Sequence, residues 1–244
     1  MEPMIYKPGA YNTPGVYKGS GGIYKGRGVY NDGAGGGSPI PPEYTAYDWI
    51  QFDGSGGGYT WTPTPIISIE SNKDVIFSFD YQNLKTTGSI ELYRIKPGLN
   101  LAQVALLEIG NYYNETAILS SFQNGGTYDW INRNIDLRYY TNRSTLRIMN
   151  ENVLDENYDI IGSKAGAYSD ISMINYYLIP FCDENRKLRS YGVKIERYGV
   201  TLYEFIPVKE NDTGKCGFYD IVNNVFTTFT DPYAFSHWTA GNDS

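Results

Sequence analysis

The residues best suited to acid–base or metal chemistry are few in this chain and poorly grouped. Its single histidine, His237, lies in the polar tail TDPYAFSHWTAGNDS beside Trp238. Nucleophilic catalysis needs a base held next to the nucleophile, and a lone tail histidine supplies no such pair. Cys182 and Cys216 lack the CxxC spacing of a metal or redox site and form no cluster with His237. They read as buried free thiols, with a disulfide between them as the alternative.

Carboxylates are no better arranged. Some sandwich-fold glucanases place two acids on one strand as Glu-x-Asp-x-Glu, so that both side chains share a sheet face. No such string occurs here; LDENYD (Leu154 to Asp159) comes nearest and reads as a solvated turn. Neither GAGGGS nor GSGGGY is followed by the Lys-Ser/Thr of a phosphate loop, and no dense acidic loop of the EF-hand kind is present. The expectation is a chain with no catalytic residues, no metal and no cofactor, hence not an enzyme.

Sugar binding asks for less: an aromatic face beside hydrogen-bonding groups. Tyr59 and Trp61, and separately Tyr128, Asp129 and Trp130, are the candidate glycan-binding residues. The competing reading makes Trp61 and Trp130 core or rim aromatics.

A second set of candidates fills the N-terminal block, residues 1–42. Tyr-Lys pairs recur at Tyr6-Lys7, Tyr17-Lys18 and Tyr24-Lys25, followed by Arg27 and Tyr30, among many glycines. The spacing is irregular, so this is no solenoid repeat. Tyrosines and the β-branched Val16, Ile23 and Val29 are unneeded in a spacer; they are contact residues, while Lys and Arg suit acidic ground. Glycine lets such a backbone lie close against another surface. We therefore expect an arm anchored by Tyr6, Lys7, Tyr17, Lys18, Tyr24, Lys25, Arg27 and Tyr30, becoming ordered on a partner. Fully extended it would reach about 140 Å, enough to cross several subunits of an assembly. GAGGG followed by SPIPP gives a flexible joint and then a stiff one, which sets a boundary between arm (1–42) and body (43–244).

The 244-residue total allows one substantial core with an appendage. Twenty-four tyrosines, 27 glycines and only 19% charged residues favour strands and turns over long helices. A net charge of −7 argues against a nucleic-acid binder. Four cations against Glu2 and Asp32 give the arm +2, leaving −9 on the body. No stretch is apolar enough to span a membrane or to act as a signal-peptide core near Met1, so neither membrane insertion nor general secretory export is expected.

Strand signals dominate from Glu43. VIFSFDYQ (Val75 to Gln82) alternates, with Val75, Phe77, Phe79 and Tyr81 on one side. AILSSF (Ala117 to Phe122), IDLRYY (Ile135 to Tyr140), STLRIM (Ser144 to Met149) and INYYLIPF (Ile174 to Phe181) read as further strands, with breaks at Asn124-Gly125-Gly126 and Ile161-Gly162. NLAQVALLEIG (Asn100 to Gly110) is the one candidate helix. YGVKIERYGVTLYEFIP places Tyr191, Val193 and Ile195 on one face, turns at Tyr198-Gly199 and returns to Ile206. GFYDIVNNVFTTF reads as a hairpin with Asn223-Asn224 in a tight type I′ turn. Many short strands with almost no helix indicate two packed antiparallel sheets.

The C-terminal stretch resembles the end of the laminin G-like, concanavalin A-like jelly-roll domains of phage and prophage virion proteins. The matching residues are Phe205-Ile206-Pro207, a polar loop, Gly217-Phe218-Tyr219-Asp220, Val222 and Phe226. Phe218 stands where Met or Leu is usual, and the polar tail replaces a Gly-rich ending. YDWIQFDGSGGGYTWTPTPI (Tyr47 to Ile66) is similar to the family's opening strand, Gly-rich loop and following strand. The resemblance covers about half of the body. It implies an all-β, antiparallel jelly-roll sandwich with an extended N-terminal arm, carried on a virion in a head fibre, tail fibre or other appendage. Its partners would be capsid, portal or fibre subunits, copies of itself, and host-surface glycan. The alternative is a free bacterial carbohydrate-binding lectin module.

Overall fold

The structure is a computed structural model of the chain, and it describes residues 17–19, 22–24, 39–52, 63–84, 88–98, 105–112, 115–122, 130–133, 136–163, 168–180, 188–229 and 238–243. In chain order the strands begin with a small hairpin, β1 (Tyr17–Gly19) and β2 (Gly22–Tyr24), and enter the body as β3 (Tyr44–Ala46), β4 (Trp49–Phe52) and β5 (Ile66–Ile69). Next come β6 (Val75–Asn83), β7 (Gly88–Lys96), β8 (Ala105–Tyr112), β9 (Glu115–Phe122) and β10 (Trp130–Arg133). A four-residue helix, α1 (Arg138–Thr141), precedes β11 (Arg143–Met149), β12 (Asn152–Leu154), β13 (Ile160–Ser163) and β14 (Met173–Pro180). The chain closes with β15 (Leu188–Arg197), β16 (Val200–Glu210), β17 (Cys216–Asp220), β18 (Val225–Thr228) and β19 (Trp238–Gly241).

The body is an all-β jelly-roll sandwich, as the strand pattern and the resemblance led us to expect. Among the described residues one sheet runs β10-β9-β8-β7-β14-β5, and the larger one runs β13-β12-β11-β6-β15-β16-β17-β18, with β4, β19 and β3 added alongside. Every pairing is antiparallel, including β6 with β11 and β15, and β7 with β8 and β14. The core lies between the sheets. Val75, Phe77, Phe79 and Tyr81 of β6 are fully buried, as alternation requires, and Phe79 stacks on Tyr93 of the opposite sheet at 4.4 Å between ring centroids. Phe218 is buried in this core, where an aromatic serves as well as Met or Leu.

Five readings are corrected. Ala105 to Tyr112 is a strand, not a helix: between β7 and β9 the alternation of Leu107 and Ile109 into the core overrides the helix propensity of Ala and Leu. Arg138 to Thr141 is helical where a strand was expected. The helical turn lets the consecutive Tyr139 and Tyr140 both reach the interior, and the Asp136 carboxylate takes the Arg138 N–H at the helix start. Ile161-Gly162 lies inside β13, paired with β12. The β17–β18 loop has four residues, Ile221 to Asn224, and positive φ at Asn224 only, so it is no type I′ turn. Asp220 sets its shape by accepting the N–H groups of Val222 and Asn223. Finally, Tyr191 does not share a face with Val193 and Ile195. A bulge between Ser190 and Gly192 sends it to the opposite side. Gly192 takes φ +130°, and a Cβ there would stand 2.7 Å from the Phe205 carbonyl oxygen, so only glycine fits the bulge. The Tyr198-Gly199 turn is as read, both residues having positive φ.

Outside the sandwich core the larger sheet has a second apolar cluster on its far face. Ile206 and Val208 of β16 and Tyr219 of β17 are covered there by Ile40, with Tyr44, Ala46 and Phe226 around them. Packing against the body therefore reaches back to Ile40. Cys216 is a free, buried thiol; burial pushes it up to about 11, which suppresses thiolate formation near neutrality.

Candidate functional site

The polar end of that same outer face is where the described side chains gather. Residues paired across antiparallel strands point to the same side, so the registers β19–β4, β4–β15, β15–β6 and β6–β11 align Thr239, Gln51, Arg189, Gln82 and Arg143 in one row. Four interstrand steps make the row about 19 Å long, the span of a short oligosaccharide. Trp49 and Tyr191 flank it. Gly241 faces Trp49 across β4–β19, and a Cβ at that glycine would intrude into the indole. The bulge at Gly192 delivers Tyr191, so two local glycine solutions set the two aromatic rings of the site.

Hydrogen bonds tie the row together. Arg143 grips Asp80 with two nitrogens, at 3.2 and 2.9 Å, and reaches Asp243 at 2.7 Å. Its guanidinium lies 3.4 Å from the Tyr191 ring centroid. Tyr191 donates to Gln82 Oε1 or Asp243 Oδ1, each 3.1 Å away. Arg189 lies 4.1 Å from the Trp49 ring and donates to Gln51 Oε1 at 3.1 Å and Gln82 Oε1 at 3.4 Å. Burial works against the charge on Arg143, but the Asp80 carboxylate more than offsets it and raises the pKa above that of an ordinary arginine. Burial likewise raises the Tyr191 hydroxyl, so it stays protonated and able to donate at neutral pH.

The two arginines differ. Arg143 is matched by two carboxylates, whereas Arg189 is held by amide oxygens, the Tyr191 hydroxyl and an aromatic ring; among the described residues no carboxylate pairs with it. The Gln82 amide nitrogen makes no hydrogen bond among the described residues, since both its bonds are made through Oε1. The arrangement offers donors and flat faces along a shallow row. It suits the hydroxyls, ring faces and acidic groups of a sugar chain.

None of the sequence candidates belongs to this row as described. Tyr59, Trp61, Tyr128, Asp129, His237 and Cys182 are outside the described residues, as are Tyr6, Lys7, Lys25, Arg27 and Tyr30. The backbone of Trp130 begins β10, and Tyr17, Lys18 and Tyr24 lie on the β1–β2 hairpin with Tyr17 opposite Tyr24; their side chains are outside the described residues. LDENYD is a turn, but Asp155 within it is buried and not solvated. Asp155 accepts the N–H groups of Asn157 and Asp159 and faces the Tyr139 hydroxyl and Arg138, and these bonds repay its burial. Sequence reading missed the row because five separate strands supply one residue each. The available signal was the polar alternate set of VIFSFDYQ, namely Ser78, Asp80 and Gln82.

The class this architecture defines is the jelly-roll β-sandwich. No family of known proteins matches the chain, and no curated protein does. Among solved structures it is similar to an alginate lyase from Pseudomonas aeruginosa (8% identity, 59% of this chain and 68% of that one, TM-score 0.30). It is also similar to alginate lyase A1-II′ of polysaccharide lyase family 7 (8% identity, 53% of this chain and 64% of that one, TM-score 0.31). A third similar structure is the CBM2 module of the evolved Dit of Lactobacillus casei BL23 phage J-1 (9% identity, 64% of this chain and 90% of that one, TM-score 0.32). The likeness is one of β-sandwich architecture.

Proposed function

We propose that the chain is a virion structural protein of a phage, held to capsid, tail or fibre subunits by residues 1–42 and displaying a glycan-binding sandwich. The observation that carries the glycan half is the row Thr239, Gln51, Arg189, Gln82 and Arg143, flanked by Trp49 and Tyr191, on an outer face that the chain covers at one end with Ile40 and Tyr44. What supports the virion half is the resemblance carried by Phe205-Ile206-Pro207 and Gly217-Phe218-Tyr219-Asp220. In this reading the row binds sugar without turning it over, because Asp80 and Asp243 are both engaged by Arg143. Multivalent display lets weak contacts sum to firm adhesion.

A glycan array probed with the full chain tests the adhesive half, with Gln82→Ala as the binding-deficient control. Binding that Gln82→Ala weakens supports it, and silence across the array removes it. Deleting residues 1–38, which leaves Ile40 packed on the body, tests the anchor: particles should then lack the protein, and normal occupancy would refute attachment through the arm. Incubating the protein with any bound polysaccharide should give no shorter products.

A further inference from the structure

We propose that the row selects acidic sugars, with Arg189 reading a uronate carboxylate. The inference rests on the glycan-binding reading and adds the substrate class.

The argument is one of unmatched charge. Along the row two guanidinium groups meet two carboxylates, and both carboxylates go to Arg143, by the 2.9 Å contact to Asp80 and the 2.7 Å contact to Asp243. Among the described residues no carboxylate neutralises Arg189, which is nevertheless held in place. Gln51 and Gln82 each turn a carbonyl oxygen toward it, and the Trp49 ring supports the guanidinium plane. This restraint removes much of the side-chain entropy that an arginine otherwise loses on binding. A held, planar, uncompensated guanidinium is complementary to a planar carboxylate, which it can take with two parallel hydrogen bonds. The Gln82 amide nitrogen adds a neutral donor suited to a neighbouring hydroxyl. The rest of the chain gives the preference its meaning. With a net charge of −7 the protein repels polyanions in general, so acidic sugar would bind through a local site and not through bulk attraction.

The test uses the full chain and three polymers, polygalacturonate, polymannuronate and hyaluronate, each beside its carboxyl-reduced, neutral form, with binding measured by calorimetry. At least one acidic polymer should bind about 10-fold or more tightly than its reduced partner, the gap expected when a charged hydrogen bond becomes a neutral one. Arg189→Gln should erase that gap, and Arg189→Lys should restore part of it because the charge returns without the planar fork. A melting curve on each variant confirms folding. Equal binding of acidic and reduced forms, or a gap that survives Arg189→Gln, overturns the inference while leaving glycan binding standing. No binding to any of the six polymers, with neutral glycans bound on the array, also overturns it; silence in both experiments removes the glycan reading as well.

Discussion

One sheet face has been given two fates. At the β16–β18 end of the larger sheet the outer face is apolar, and the chain covers it with Ile40 and Tyr44 packed over Ile206, Val208 and Tyr219. At the β4–β15–β6–β11 end the outer face is polar, networked and half-exposed around Arg189. A jelly roll needs only its inner faces to be stable, so covering one outer patch and leaving the other uncovered separates a fold requirement from a surface free to act. Substitutions along the face should therefore lose stability at one end and binding at the other.

The largest effect is expected at the covered end. Ile40→Ala should lower unfolding free energy by about 2–3 kcal/mol, because a nearly buried isoleucine leaves a gap over Ile206, Val208 and Tyr219. Denaturant unfolding of the full chain measures this. A loss below about 1 kcal/mol would mean that residues 39–46 are not part of the folded body.

Arg143→Ala comes next, at the inner edge of the open end. It removes contacts to Asp80 and Asp243 and the stack on Tyr191, and should cost about 1–2 kcal/mol. Arg143→Lys should recover only part, since an ammonium cannot hold Asp80 with the same fork. Full recovery by lysine would show that charge alone, and not geometry, builds this part of the row.

These two sites also show what was and was not legible in the sequence. β6 and the β15–β18 hairpins were legible because their alternation is strong and their turns carry Gly or Asn. β8 was not, because its Ala and Leu content suits a helix equally well until β7 and β9 supply partners. The site was harder still. Tyr191 reaches it through a bulge that strict alternation cannot foresee, and Arg143 meets Asp243 from one hundred positions away along the chain. A pairing register is a property of the assembled sheet, so a row of single residues from five strands leaves no local motif.

Between the two ends stands Glu204, in register with Lys194 on the outer face. Burial raises its pKa above the ordinary 4.5, the Lys194 charge lowers it in part, and Glu196 and Asp220 add repulsion. For a carboxyl whose folded pKa is raised, the folded state holds the proton more tightly than the unfolded chain. The cost of burying the charge is thus absent below about pH 4.5 and is fully present once pH exceeds the folded value. Glu204→Gln should raise the melting temperature at pH 7 and leave it unchanged at pH 4. Equal gains at both pH values would trace the effect to packing and not to the charge.

The smallest change in stability is expected at Arg189, and its smallness is informative. The side chain is half-buried, bonds to glutamine oxygens and the Tyr191 hydroxyl, and crosses no boundary between the sheets. Arg189→Gln should therefore cost about 0.5 kcal/mol or less, a melting shift of about 1–2 °C for a chain of this size. Residues placed for folding show their value in the melting curve, as Ile40 and Arg143 should. A residue that costs little to remove, yet is held by two amides, a tyrosine hydroxyl and an indole and given no counter-charge among the described residues, is arranged to meet a charge from outside. If Arg189→Gln unfolded the protein as readily as Arg143→Ala, Arg189 would be one more internal tie, and the open end of the face would differ from the covered end only in being polar.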